Sequence, residues 1–227
     1  MRKLLKDRDE AGRLLAGRLA AYTRHPDVIV LALPRGGVPL GWAVAQALAA
    51  PLDVLIVRKL GMPGHAEYAI GAVAGEGPWL FNAGELAALH LPRELVAAVA
   101  ARERQEIARR EALYRAGRPP PQLRGKTVIL IDDGIATGAT MHMAVWVVRA
   151  AKAAKIVVAV PVAPPEVCAA LAPQVDELVC LRTPSPFISV GSWYRDFEQL
   201  SDEQVVALLT RGGQDAPARA GMQGFHA

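Results

Sequence analysis

The sequence predicts an α/β fold: a mainly parallel sheet flanked by helices, extended by a helical insertion and a C-terminal hood. Three observations lead there. Short unbroken apolar runs, VIVLAL over Val28–Leu33, VILI over Val128–Ile131 and KIVVAVPV over Lys155–Val162, read as strands buried on both faces. Helix-like segments alternate with them, the pattern of crossover connections in a parallel sheet. The ends of three strands carry unusual chemistry: Pro34-Arg35-Gly36-Gly37, Arg58-Lys59 and Asp132-Asp133. Ligands of such sheets sit at the carboxyl ends of strands, so these three stretches are expected on one edge.

Composition narrows the class. A chain of 227 residues, 52% hydrophobic and 21% charged, has the size and balance of one large globular domain. No apolar run approaches the roughly 18 residues of a membrane span. The basic N-terminus, MRKLLKDRDEAGRLLAG, contains acids and no continuous apolar core, so it reads as an amphipathic helix and not as a secretory signal. The two cysteines, Cys168 and Cys180, are far from any C-x-x-C spacing, which argues against a disulfide framework or a zinc site; cytoplasmic residence is expected. Twenty of the 26 basic residues are arginines, which suits bidentate phosphate binding and equally suits a compositional bias. With aromatics at 5%, a stacking platform for single-stranded nucleic acid has little to build with, and no nucleic-acid partner is expected.

Taken in order, residues 3–24 read as a helix covering one edge. Val28–Leu33 is the first strand, and a small-residue helix follows over Val38–Ala50. Leu52–Leu60 is read as the second strand. Gly61-Met62-Pro63-Gly64-His65 reads as a mobile loop, followed by a short strand over Tyr68–Ala74. Residues 84–116 read as a helix with Val96, Ala100, Ile107 and Tyr114 on a narrow apolar stripe and charges elsewhere. Arg118-Pro-Pro-Pro121 ends it. Lys126–Ile131 is the central strand, Gly138–Ala151 a helix, Lys155–Val162 a strand, Pro165–Leu171 a short helix and Glu177–Leu181 a last strand. A helix from about Ser201 to Leu209 closes the fold. The expected organisation is one domain over residues 1–212, with the insertion at about 84–118 and a hood formed by about 182–200 with the N-terminal segment. Residues 213–227 are expected to be a flexible tail.

Val128–Thr140, VILIDDGIATGAT, is the most informative stretch. A buried strand delivers two adjacent carboxylates to its end. Such a pair needs hydrogen-bond donors or a cation, and ribose hydroxyls with Mg²⁺ shared with a diphosphate meet that need. The small residues Gly134-Ile135-Ala136-Thr137-Gly138-Ala139-Thr140 then let backbone N–H groups approach an anion, with two hydroxyls and a helix N-terminus as further donors. Thr137 as a plain N-cap, or Asp-Asp-Gly as a plain turn, explains either half but not their combination in 13 residues.

This unit resembles the signature of type I phosphoribosyltransferases, which bind 5-phosphoribosyl 1-diphosphate (PRPP). The resemblance extends over most of residues 27–200. It implies that Asp132 and Asp133 bind the ribose hydroxyls and that Ile135–Thr140, following Gly134, cradle the 5-phosphate. It places Pro34, Arg35, Gly36 and Gly37 in the diphosphate loop, where a cis peptide is sometimes found, and Arg58 and Lys59 beside them. It implies a flexible loop over about Gly61–Tyr68 that closes during reaction. Arg35, Lys59, Asp132 and Asp133 are the implied catalytic set and Mg²⁺ the implied cofactor, with the two aspartates acting on it indirectly, through ribose and water. His65 and Glu67 are candidate acid–base groups in that loop.

Phe187–Phe197 resembles the hood of the 6-oxopurine enzymes, which nominates Trp193, Tyr194 and Phe197 as acceptor stackers and Asp196 as a metal-linked residue. The string is one residue longer here, so the metal role of Asp196 stays open. Ala136 stands where those enzymes carry a catalytic aspartate; Ala-Thr-Gly resembles adenine phosphoribosyltransferases, although the hood does not. The expected activity is therefore Mg²⁺-dependent transfer of a phosphoribosyl group from PRPP to an unspecified nitrogen acceptor. The alternative is a PRPP- or nucleotide-sensing regulator with the same fold. Family members are often dimers, so a homodimer is the assembly to look for.

Overall fold

A computed structural model describes residues 4–62, 65–74, 80–81 and 93–214, with the backbone alone for 59–73, 80–81, 93–96 and 212–214. Its centre is a five-stranded parallel sheet in the order β2-β1-β6-β7-β8, formed by β1 (Val28–Ala32), β2 (Leu52–Val54), β6 (Thr127–Ile131), β7 (Lys155–Val162) and β8 (Glu177–Arg182). β1 and β6 are buried along nearly their whole length, as their unbroken apolar runs predict. The period of two divides their side chains between two cores. Val28, Val30, Ala32, Ile129 and Ile131 face one layer with α1 (Arg8–Arg18) and α2 (Gly37–Leu48). Ile29, Leu31, Val128 and Leu130 face the other, with α4 (Ala139–Ala150) and α5 (Pro165–Leu171).

Two glycines let the layers close. A Cβ on Gly12 of α1 would lie 2.8 Å from the Ala43 Cβ of α2. One on Gly37 would lie 2.5 Å from the Ile131 carbonyl, so α2 starts directly against the end of β6.

The second sequence strand is two strands. After β2 the chain leaves the parallel sheet at Leu55-Ile56 and enters β3 (Val57–Met62), which pairs antiparallel with β4 (His65–Ala74); β4 pairs in turn with β5 (Leu80–Phe81). Arg58 and Lys59 therefore lie within a hairpin and not at a parallel strand's end. The expected loop over Gly61–Tyr68 is likewise replaced, where described, by strand. Gly61 and Met62 belong to β3, and His65 to Tyr68 to β4. The pairing accommodates the glycine through register shifts at Leu60/Gly61 and Gly61/Met62. Pro63 and Gly64 lie outside the described residues.

The insertion helix, α3, runs Arg93–Arg115, and Ala100, Ile107 and Tyr114 of its predicted stripe are buried. Its last turn is fixed by Arg115, buried against Asp53 at 3.1 Å and Glu111 at 2.7 Å. The expected helix start at 84 lies outside the described residues. The last helix, α6 (Asp202–Gln214), is longer than its sequence pattern suggested and buries Val205 and Leu209 in the α1–α2 layer. From 215 on, the expected tail is outside the described residues. Among the described residues no helix is long and apolar enough to cross a membrane.

Candidate active site

β6 is hydrogen-bonded on both sides and ends at Ile131, so the next two residues emerge at the middle of the sheet edge. The Asp133 N–H donates to Asp132 Oδ1 at 2.8 Å and turns the chain out of the strand. The Ile135 N–H donates to the Val162 carbonyl at 2.9 Å, and the Ile135 side chain plugs the second core. The loop is thereby tied to the end of β7, while Ala136, Thr137, Ala139 and Thr140 stay exposed. Gly138 adopts φ +82° as the N-cap of α4, a conformation costly for other residues. Thr137 does not cap the helix closely; its Oγ1 lies 3.5 Å from the Ala139 N. Asp132 and Gly134 to Met141 line a cleft of about 140 Å³. The first-turn N–H groups of α4 have no intrahelical partner, and together with the helix dipole they give this cleft the character of an anion site.

Asp133 faces a different way. Its Oδ2 accepts from Arg8 Nε at 2.9 Å and pairs with Nη2 at 2.8 Å. Its carbonyl accepts the Tyr194 hydroxyl at 2.6 Å. A Cβ on Gly36 would lie 2.0 Å from the same Oδ2, so the Pro34–Gly37 loop rests directly on this carboxylate. The Pro34–Arg35 peptide is cis. Three segments remote in sequence thus meet at one residue.

Arg8 is the residue that sequence reasoning missed. It opens α1, whose start is fixed by Asp7 accepting from Glu10 N at 2.8 Å and by Glu10 accepting from Lys6 N at 2.5 Å. Its Nη1 donates to the Glu198 carbonyl at 2.7 Å, and its guanidinium lies 3.9 Å from the Phe197 ring centre. A signal was present. The D-x-x-E spacing marks a helix start, and a cation at the first helical position opposes the dipole unless a carboxylate elsewhere holds it.

The electrostatics follow this geometry. Burial raises the Asp132 carboxyl well above the usual carboxylate range, and the Asp133 charge raises it further. Burial also raises Asp133, but the Arg8 cation opposes the shift. Burial raises the Tyr194 hydroxyl, followed by the Asp133 charge, so it stays a donor at neutral pH.

The basic candidates are held by acids of the surrounding helices. Arg35 is exposed, with Nη1 4.0 Å from Asp202, whose Oδ1 also accepts the Tyr114 hydroxyl at 2.5 Å. Arg58 Nε lies 2.7 Å from Glu103 of α3. The Lys59 backbone pairs opposite Ala72, and its side chain falls outside the description, as do those of His65 and Glu67.

In the hood, Trp193 and Tyr194 are buried. Phe197 lies between Arg8 and Tyr194, 4.9 Å from the latter ring centre, and packs over Gly191. These rings build the hood and its attachment. Leu5 N donates to the Trp193 carbonyl and Arg195 N to the Leu5 carbonyl, so the N-terminal segment runs along the hood like an added strand. Asp196 is exposed and lines a separate cleft of about 200 Å³ with Asp7, Arg8, Asp9 and Glu198. It does not share the Asp132 cleft. Among the described residues no three His, Cys, Asp or Glu side chains form a metal-binding group.

Comparison with known proteins agrees with this geometry. Residues 4–170 match the family described as the phosphoribosyl transferase domain. Two Mycobacterium tuberculosis proteins, from strains H37Rv and CDC 1551 and provisionally named phosphoribosyl transferases, are 46% identical over 213 residues, 94% of this chain. The chain spans about half of their length, 48%. The crystal structure of TT1426 from Thermus thermophilus superposes with a TM-score of 0.82 at 41% identity, covering 93% of this chain and 99% of that one. The acid pair at the end of a central parallel strand, the small-residue loop after it and these matches lead to one conclusion: the chain belongs to the phosphoribosyl transferase family.

Proposed function

We propose that the protein catalyses Mg²⁺-dependent transfer of the 5-phosphoribosyl group of PRPP to a nitrogen acceptor, releasing diphosphate. The observation behind this reading is the junction of β6 with α4, where a half-buried acid pair and a cleft rich in backbone donors share one turn of chain. The loop of residues 134–140 would receive the 5-phosphate, and the carboxylates of Asp132 and Asp133 would accept from the ribose hydroxyls. Arg35 would draw the diphosphate toward the Pro34–Gly37 loop, with Arg58 and Lys59 behind it on the hairpin. In the reaction the bond from C1 to the diphosphate oxygen breaks, the bond from C1 to the acceptor nitrogen forms, and that nitrogen loses its proton. The protein's contribution is orientation and charge stabilisation.

A divalent cation suits this donor set. Asp132 is a half-buried carboxylate whose neighbour repels its charge, and a hard cation nearby would restore the ionised form. With no cage of ligating side chains among the described residues, Mg²⁺ would bind largely through substrate oxygens, as this ion commonly does. When bound it supplies charge neutralisation of the leaving group.

Calorimetric titration with PRPP and Mg²⁺ tests the reading. Binding is expected in the wild type and absent when Asp132→Asn and Asp133→Asn are combined. No binding by the wild type, or binding unchanged in the double variant, refutes it. A screen of nucleobases and small amines, read by diphosphate release, then identifies the acceptor.

A further inference from the structure

Resting on that reading, we infer that Arg8 is a positioning residue that acts on the sugar site through Asp133 and divides the work of the acid pair. Asp132 lines the phosphate cleft, and Asp133 is absent from that lining. Asp133 instead gives one carboxylate oxygen to the Arg8 fork, at 2.9 and 2.8 Å, and its carbonyl to Tyr194. Arg8 and Asp133 side chains are only 13% and 14% exposed, so the pair is shielded from water on most sides.

The remaining capacity of Arg8 is spent on the hood, through the Glu198 carbonyl and the Phe197 face. One guanidinium therefore joins the sugar-site carboxylate to the segment that covers it. Arg8 fixes the rotamer of Asp133, leaving Oδ1 free of this clamp. It also opposes the desolvation that would otherwise favour the protonated acid. Gly36 seals the arrangement from the diphosphate side, because its Cα packs on the clamped oxygen. In this arrangement Asp132 meets ligand from the cleft side, and Asp133 presents its unclamped Oδ1 to the sugar. Asp133 holds the diphosphate loop, the hood and the sugar edge in register, and Arg8 determines whether it does so.

Calorimetry with PRPP and Mg²⁺ on wild type, Arg8→Met, Asp133→Asn and their combination tests this, with thermal unfolding of each. Arg8→Met is expected to weaken binding roughly tenfold or more, since losing one partner of a shielded pair disables the other. The double variant should bind no more weakly than the weaker single, because coupled residues are non-additive. A merely structural role would lower Tm and leave the two effects on binding independent. Arg8→Lys keeps the charge and loses the planar fork, so it should fold and still bind several-fold more weakly than wild type, on the order of the loss of one charge-assisted hydrogen bond. If wild type does not bind, both the functional reading and this inference fall. If wild type binds and either Arg8 variant stays within about twofold of it, or the double variant shows the product of the single losses, the inference alone falls.

Discussion

The two sides of the acid pair are built on different plans. On the Asp132 side the cleft comes from one local stretch, Asp132 and Gly134 to Met141, and its donors are largely backbone N–H groups presented by a helix start. On the Asp133 side, Arg8, Gly36, Tyr194 and Asp133 come from four separate parts of the chain and meet through side-chain charge and close packing. Backbone donors fixed by local geometry tolerate many side chains around them. An assembly of remote side chains tolerates few changes, because each piece has one place to go.

That difference can be broken first at the glycines. Gly36→Ala would force a Cβ to 2.0 Å from a carboxylate oxygen already held by Arg8, so that oxygen can move only by giving up the Arg8 pair. Denaturant unfolding should show a loss of about 3 kcal/mol, at the upper end of overpacking costs. Gly134→Ala on the other side meets the Val190 side chain at 2.5 Å, an obstacle that can be removed. It should cost about 1–2 kcal/mol, with Val190→Ala recovering part of it, since the Val162 contact at 3.0 Å and the φ of +158° remain. Equal losses, or failure of that rescue, would erase the contrast.

A smaller effect, of opposite sign, is expected at Asp132. Its carboxyl is raised in the folded protein by burial and by Asp133, so the native state holds its proton at a pH where the unfolded chain has lost it. Stability then falls as pH rises from the unfolded carboxylate value toward the raised folded one. Asp132→Asn removes this term and should raise Tm at pH 7, with the gain disappearing below the ordinary carboxylate range. Ligand binding should fall in the same variant. A Tm gain independent of pH would show that the buried charge is not its source.

The smallest effect on stability is expected at Arg35. Its ion pair with Asp202 is exposed and long, at 4.0 Å, and such pairs contribute about 0–1 kcal/mol. Arg35→Gln should leave Tm nearly unchanged while weakening diphosphate binding roughly tenfold, the scale of one lost charge-assisted contact. A large Tm change with diphosphate binding intact would assign Arg35 to the structure of α6.

The same contrast explains what could be read from the sequence. VILI and the alternation of helices with apolar runs were sufficient for the parallel sheet, because burial on both faces leaves a local pattern. The loop of residues 134–140 was legible for the same reason, since strand end, acids and small residues are contiguous. The hairpin was not. The two strands share one apolar run, LDVLIVRKL, and the break at Leu55-Ile56 is imposed by which sheet each half joins. Nor were the roles of the hood aromatics legible. Trp193, Tyr194 and Phe197 suggest stacking by type, and only tertiary packing reveals that they are buried or already covered. Arg8 left a faint local trace in D-x-x-E, but its partner lies 125 residues away.

The pairing of residues 5–8 with residues 194–198 also bears on how the molecule is made. During synthesis the strand-like segment at Leu5 and the Arg8 guanidinium emerge well before the Glu198 carbonyl that Arg8 grips, 190 residues after Arg8. The sheet core through β7 can form on the ribosome in N-to-C order. The Asp133 side of the acid pair cannot be completed until residues 194–198 have emerged and closed back on α1. A nascent chain halted before residue 194 would have the loop of residues 134–140 and lack the Tyr194 and Glu198 partners of Asp133 and Arg8, so that side of the candidate site is completed late and all at once.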